Sequence, residues 1–204
     1  MKKSREWRVV SVEKPLHEMT NKELWELFPV ILCAHDPAWA ERFERERTLL
    51  EETAAGCVAK ISHIGSTAVP GVVAKPTIDI LLEIQNGADL DVLLDAMRSA
   101  GYIHSPQPRD PPPHMMFMKG YTPEGFRGQA FHVHVRYPGD WDELYFRDYL
   151  VEHREASEEY GRLKLLLKER FEHDRDGYTD AKTDFITRIT RLARAEFGGR
   201  YAHA

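Results

Sequence analysis

The stretch HIGSTAVPGVVAKPTIDILLEI, residues 63–84, decides how the chain folds. It opens with Gly65 and Ser66 at the end of an apolar run and crosses a small-residue loop that holds Lys75. It then enters a second apolar run with one carboxylate, Asp79, near its start. A glycine-rich turn lets backbone N–H groups approach a phosphate, and a carboxylate on the next strand can hold a divalent cation against it. Glycines mostly serve turns, so Gly-Ser alone reads first as a tight turn between two buried strands, with Asp79 pairing locally.

Working outward, residues 57–64 and 77–84 read as the two core strands that flank this loop. Upstream, Thr20 and Glu23 have capping-box spacing and start a short helix that Pro29 stops. Asp36 and Pro37 read as N-cap and first helical residue of a long helix reaching about Ala55, with Trp39, Phe43 and Leu50 on one face and Gly56 ending it. Ahead of these, residues 1–18 read as an extension in which only WRVVSV, residues 7–12, has strand character. Downstream, Asn86-Gly87 breaks the chain, and Leu90, Leu93, Leu94 and Met97 mark a helix face before Gly101. Residues 107–113 are proline-rich and form a loop, with strands expected over 115–119 and 131–136. Helices follow over 141–153, 155–173 and 179–197, the last with Phe185, Ile189 and Leu192 inward.

At 204 residues the chain suits one domain, over 19–198, with a tail at 199–204. Hydrophobic residues at 42% and charged residues at 30% are a globular balance, and a net charge of -5 argues against broad attraction to nucleic acid. Cys33 and Cys57 have no metal-ligand spacing and fit buried thiols in a reducing compartment, so a cytoplasmic location is expected. No run approaches the roughly 20 apolar residues of a membrane span, and the amino terminus lacks the apolar core of a signal peptide.

In FHVHV, His132 and His134 lie two apart in a strand and point to one face, a geometry that suits metal or phosphate binding as well as a half-exposed strand with two incidental imidazoles. Tyr178 and Lys182 share a helix face four residues apart, as do Tyr160 and Lys164; on spacing alone both are solvated pairs. Arg147 reads as a partner of a nearby acid such as Asp148 or Glu143. Lys75, in the loop itself, is the better phosphate candidate.

HIGSTAVPG followed by AKPTIDI resembles the GrpB family of the nucleotidyltransferase superfamily of the DNA polymerase beta type. ELWELFPVILCAHDPAW ahead of it and YTDAKTDFI near the end continue the likeness, which runs from near Met19 almost to Phe197. The resemblance implies an α+β fold: a mixed twisted sheet of about four to six strands, helices mainly on one face, and a helical carboxy-terminal part closing one side of a cleft. It implies that Gly65, Ser66, Thr67, Lys75, Tyr178 and Lys182 bind the phosphates of a nucleoside triphosphate. Asp79, His132 and His134 would then be the catalytic and metal-holding residues.

One departure bears on the chemistry. The superfamily has two acids separated by one position, whereas this chain has Asp79, Ile80 and Leu81. Glu83 shares the face of Asp79 but lies on the order of 13 Å along the strand, too far to share one ion. With histidine replacing carboxylate, the expected cation is Mg²⁺ or Mn²⁺, with Zn²⁺ as the softer option. The implied activity is transfer of a nucleotidyl group to an acceptor that the sequence does not name. The alternatives are a nucleotide- or anion-binding module with a degenerate metal site, and a metal-dependent hydrolase built on His63, His132 and His134.

Overall fold

The computed structural model describes residues 14–107 and 113–202. Segment 7–12, residues 108–112 of the proline-rich loop and residues 203–204 of the tail lie outside them. Among the described residues one mixed sheet runs in the order β1-β2-β5-β4-β3, from β1 (Val58–Ile64), β2 (Thr77–Ile84), β3 (Ile103–Ser105), β4 (Met115–Thr122) and β5 (Gly125–Arg136). Only the β2–β5 pair is parallel; the other three are antiparallel.

β2 is central and almost wholly buried, which is why TIDILLEI reads as a near-continuous aliphatic run. Ile78, Ile80, Leu82 and Ile84 face α2 (Ala38–Thr53) and α3 (Leu90–Ser99), packing with Trp39, Phe43, Leu50, Leu93 and Met97. Each such side chain contributes roughly 1.5–3 kcal/mol by leaving water. The opposite face carries Thr77, Asp79, Leu81 and Glu83, the period-2 consequence of the pleat. Leu81 packs there on Ile64 and on Leu144 of α4 (Asp142–Glu152).

The carboxy-terminal helices α4, α5 (Arg154–Phe171), α6 (Arg175–Asp180) and α7 (Thr183–Phe197) stand over that second face. Val69 and Val72, from the loop between β1 and β2, insert among Phe146, Leu150, Tyr160, Phe185 and Ile189 of these helices. The loop that follows Gly-Ser is therefore anchored in the helical part as well as in the sheet.

Local signals hold where they are short-range. Thr20 and Glu23 form a capping box on α1 (Asn21–Leu27), with Thr20 N donating to Glu23 at 2.7 Å and Glu23 N to Thr20 Oγ1 at 3.3 Å. The Asp36 carboxylate accepts from Ala38 N at 3.0 Å and starts α2. The helix expected over 179–197 is instead two. Asp174 caps α6 by accepting from Gly177 N at 2.9 Å, and the chain turns at Ala181 and Lys182 before α7. That cap lies upstream of the hydrophobic period that defines α7, so periodicity alone misses the break. Strand β3 and most of β5 before residue 131 are further additions. Gly120, at φ +87 and pressed against the Gln129 carbonyl, makes a bulge in β4 that lets the hairpin continue. Tyr201, in the stretch read as a tail, packs edge-on against Tyr145 at 5.2 Å.

Candidate anion-binding cleft

Where β1 ends, Gly65 takes φ +69, and a Cβ there would fall on the Asp79 carboxylate. Asp79 sits directly across from Ile64 in the β1–β2 register and across from His132 in the β2–β5 register. Glycine is thus needed twice at position 65: for the left-handed backbone and for the close approach of the carboxylate.

Asp79 Oδ1 lies 3.3 Å from His132 Nδ1, and His132 Nε2 lies 2.7 Å from the Tyr121 hydroxyl. In the neutral ring this fixes the tautomer, Nδ1–H donating to Asp79 and Nε2 accepting from Tyr121. Arg175 donates in turn to the Tyr121 oxygen at 3.4 Å. Burial pushes the Asp79 carboxyl up, but its hydrogen bond and charge interaction with His132, together with His134 and Lys75, outweigh burial and hold it below its usual value. His134, one pleat further on, is held below its usual value by burial, against the pull of Asp79.

A cleft of about 770 Å³ opens above this floor. One wall is cationic. Lys75 comes from the loop, Lys164 from α5 and Lys182 from the turn before α7, and all three line the cleft. Burial, reinforced by Arg175 and Lys182, pushes the Lys75 amine down to about 7. Burial with repulsion from Lys182 and Lys75 pushes Lys164 down to about 7, and burial brings Lys182 down to about 8. Lys75 and Lys182 both rest on the Tyr178 ring, 5.4 and 4.4 Å from its centroid, while Lys164 rests on Tyr160 at 4.6 Å. Tyr160 and Ser66 both line the cleft, and burial pushes the Tyr160 phenol up to about 12, so it stays protonated.

These residues fall almost entirely inside one recognisable stretch: the family model described as GrpB protein matches residues 29–192. The chain belongs to the GrpB family. It is 38% identical over 164 residues to a UPF0157 protein of Pseudomonas aeruginosa, a match covering 78% of this chain and 66% of that one. It is 35% identical to the Glutamate-rich protein GrpB of Alkalihalophilus pseudofirmus, covering 78% and 93% of the two chains. The crystal structure of conserved protein GrpB from Enterococcus faecalis matches with a TM-score of 0.72 at 29% identity, over 82% of this chain and 99% of that one. The mixed α+β fold with its carboxy-terminal helices is that of GrpB, of nucleotidyltransferase type.

Within this GrpB fold, Gly65, Ser66, Lys75, Asp79, His132, His134, Tyr178 and Lys182 all line the one cleft. Thr67 does not join them: it is buried, donates to the Thr77 carbonyl at 3.3 Å and meets His63 Nε2 at 3.0 Å. His63 is turned to the other face of the sheet, stacked on Phe43 at 4.7 Å, where burial pushes it down to about 4. A hydrolase centre uniting His63 with His132 and His134 is therefore not assembled. Arg147 is held by Asp148, the His63 carbonyl and the Tyr201 hydroxyl, as its structural reading expects.

A metal centre tests the donor set. Among the described residues no group of three or more His, Cys, Asp or Glu side chains is placed to hold an ion. Both ring nitrogens of His132 are engaged, Leu81 is in an apolar cluster, and Glu83 accepts from Gly139 N at 3.1 Å far along the strand. These residues do not fit a cation site built by the protein alone. The cleft also takes Thr190 from α7 and, at its other end, His114, Trp141 and Glu143, none of which sequence reasoning singled out as a site. Only the burial of the Tyr160–Lys164 pair could have raised its rank, and burial depends on tertiary packing.

Proposed function

We propose that this GrpB protein binds a nucleoside triphosphate in the cleft, with the phosphate chain against Lys75, Lys164 and Lys182 and beside the Gly65–Ser66 turn. The observation that carries the reading is the convergence of three amines, Lys164 and Lys182 buried and Lys75 half-buried, on one wall of the cleft, where the carboxylate acting on all three is Asp79, itself bonded to His132. Such a wall is electrostatically uncompensated until an anion enters, and a polyphosphate supplies several negative charges in a row. A divalent cation would arrive as the counter-ion of the nucleotide. Binding is the function this geometry supports best, because the donor set for a fixed metal is incomplete.

Nucleotidyl transfer is the second reading, favoured by one observation, that the Asp79 carboxylate lies against the Gly65 turn, together with the resemblance, which implies that Asp79 is the superfamily's acid. Binding is tested by thermal unfolding with each of the four common ribonucleoside triphosphates, with and without Mg²⁺ or Mn²⁺. At about 100 times the dissociation constant, stability should rise by roughly 2.7 kcal/mol. Lys75→Ala and Lys182→Ala should each shrink that rise, and no rise with any nucleotide under either metal would refute binding. Transfer is tested with label on the alpha phosphate and mixed protein, RNA and metabolite acceptors; transfer undiminished in Asp79→Asn would remove Asp79 from the reaction.

A further inference from the structure

Three side chains of the helical wall bury a polar atom that has no hydrogen-bond partner among the described residues: Nζ of Lys164 on α5, the hydroxyl of Tyr178 on α6 and Oγ1 of Thr190 on α7. All three residues line the cleft. A buried polar group left unpaired costs about 1–3 kcal/mol, so each is a standing penalty in the free protein. Lys164, 2% exposed, is the one of the three that can carry a charge. It is also held in place, because the Tyr160 ring beneath it is stacked on Phe185 at 5.0 Å and met edge-on by Phe146 at 5.3 Å.

The charged and titratable groups that act on Lys164 are Lys182 from the turn before α7, Lys75 from the loop, Asp79 from β2 and Cys33 from the segment before α2. Of the cleft's carboxylates, Asp79 is therefore the one that acts on Lys164 against two neighbouring amines, and it is already paired with His132. Removal from water and the nearness of the other amines make a lysine give up its proton more readily, and of the three Lys164 is the least exposed. A neutral primary amine held in such surroundings is a nucleophile toward carbonyl carbon.

We infer that Lys164 forms an imine with a small aldehyde that carries a phosphate group, the phosphate being seated by Lys75, Lys182 and the Gly65–Ser66 turn. This rests on the phosphate-binding reading above. The step balances without oxidant or reductant. The Nζ lone pair forms the C–N bond as the carbonyl π pair moves to oxygen, which takes up a proton while nitrogen loses one. The resulting carbinolamine then expels its oxygen as water, so one water leaves for each C=N bond made. The unpartnered Tyr178 and Thr190 hydroxyls of the same cleft are the donors available to that oxygen. A cleft of about 770 Å³ is within the size range of small-molecule sites.

The test uses the full chain with pyridoxal 5′-phosphate as probe near neutral pH, borohydride reduction, and peptide mapping of the reduced adduct. The expected result is one phosphopyridoxyl group per chain, on Lys164. Inorganic pyrophosphate should suppress it, and pyridoxal lacking the phosphate should label about tenfold more slowly, since it lacks the anchor that orients the aldehyde. Lys164→Arg, which keeps a long basic side chain and loses the nucleophilic amine, should abolish the adduct. Mapping on the unaltered protein does not depend on how that variant folds. Label spread over surface lysines, label on Lys75 or Lys182 instead, or equal rates with and without the phosphate would overturn the inference. If calorimetry shows pyrophosphate binding but Lys164 stays unlabelled, imine formation fails while phosphate binding stands. If pyrophosphate does not bind at all, both fall.

Discussion

The floor and the wall of the cleft are built on opposite terms. On the floor, Asp79, His132, Tyr121 and Arg175 hold one another in a chain of contacts anchored on three adjacent strands, β2, β5 and β4. On the wall, Lys164, Tyr178 and Thr190 bury polar atoms that have no hydrogen-bond partner among the described residues. The floor is thus ordered before any ligand arrives, whereas the wall stores an unfavourable energy that only a ligand relieves. Sites of this kind trade stability for binding.

Gly65→Ala tests the rigidity of the floor and should have the largest effect. It forces a non-glycine residue to φ +69 and drives a methyl group into the Asp79 carboxylate. Denaturant unfolding should register a loss of about 2–4 kcal/mol. A loss below about 1 kcal/mol would mean that the floor yields, and the contrast with the wall would disappear.

Lys164→Met tests the wall, and here the sign reverses. Replacing an unpaired buried amine by an apolar chain of similar length should stabilise the ligand-free protein by about 1–3 kcal/mol near neutral pH, while weakening triphosphate binding. The pH dependence sharpens this. The native Lys164 amine releases its proton near 7, whereas the unfolded chain holds that proton to about 10.4. Between those values the unfolded state binds more protons, so the stability of the unaltered protein should rise with pH across that window; below it both states are protonated and the penalty is constant. In Lys164→Met the rise should be shallower, its remainder coming from Lys75 and Lys182. Destabilisation by this substitution at pH 7 would show that the amine is part of the packing after all.

Arg147→Ala should have the smallest effect on the cleft. Its guanidinium is bound by Asp148, Tyr201 and the His63 carbonyl, outside the cleft. Thermal unfolding should fall in temperature while triphosphate affinity changes by less than about twofold. A larger change in affinity would mean that the floor reports on packing behind it.

Much of this was legible from spacing, because the relevant physics is local. The capping box at Thr20 and Glu23 and the Asp36 cap lie within one helical turn, and β2 was bounded correctly at Thr77 and Ile84 by its apolar run. The period-2 rule also placed His132 and His134 on one face. What spacing could not supply was which face. Thr67 and Ser66 are neighbours with similar side chains, yet one is locked between His63 and the Thr77 carbonyl while the other lines the cleft.

The sequence by itself determined the elements, the glycine at the turn and the family, since each depends on residue type at short range or on a long string of types at fixed intervals. Only the tertiary structure decided that His132 is paired rather than free, that His63 faces away, and that Lys164 is buried with no hydrogen-bond partner among the described residues. Each of these turns on what another segment brings to the same place: Tyr121 across the β4–β5 hairpin, Phe43 from α2, and three helices closing on one cleft. Burial and pairing are properties of that meeting, and it is there that an ordinary lysine becomes an amine poised to lose its proton.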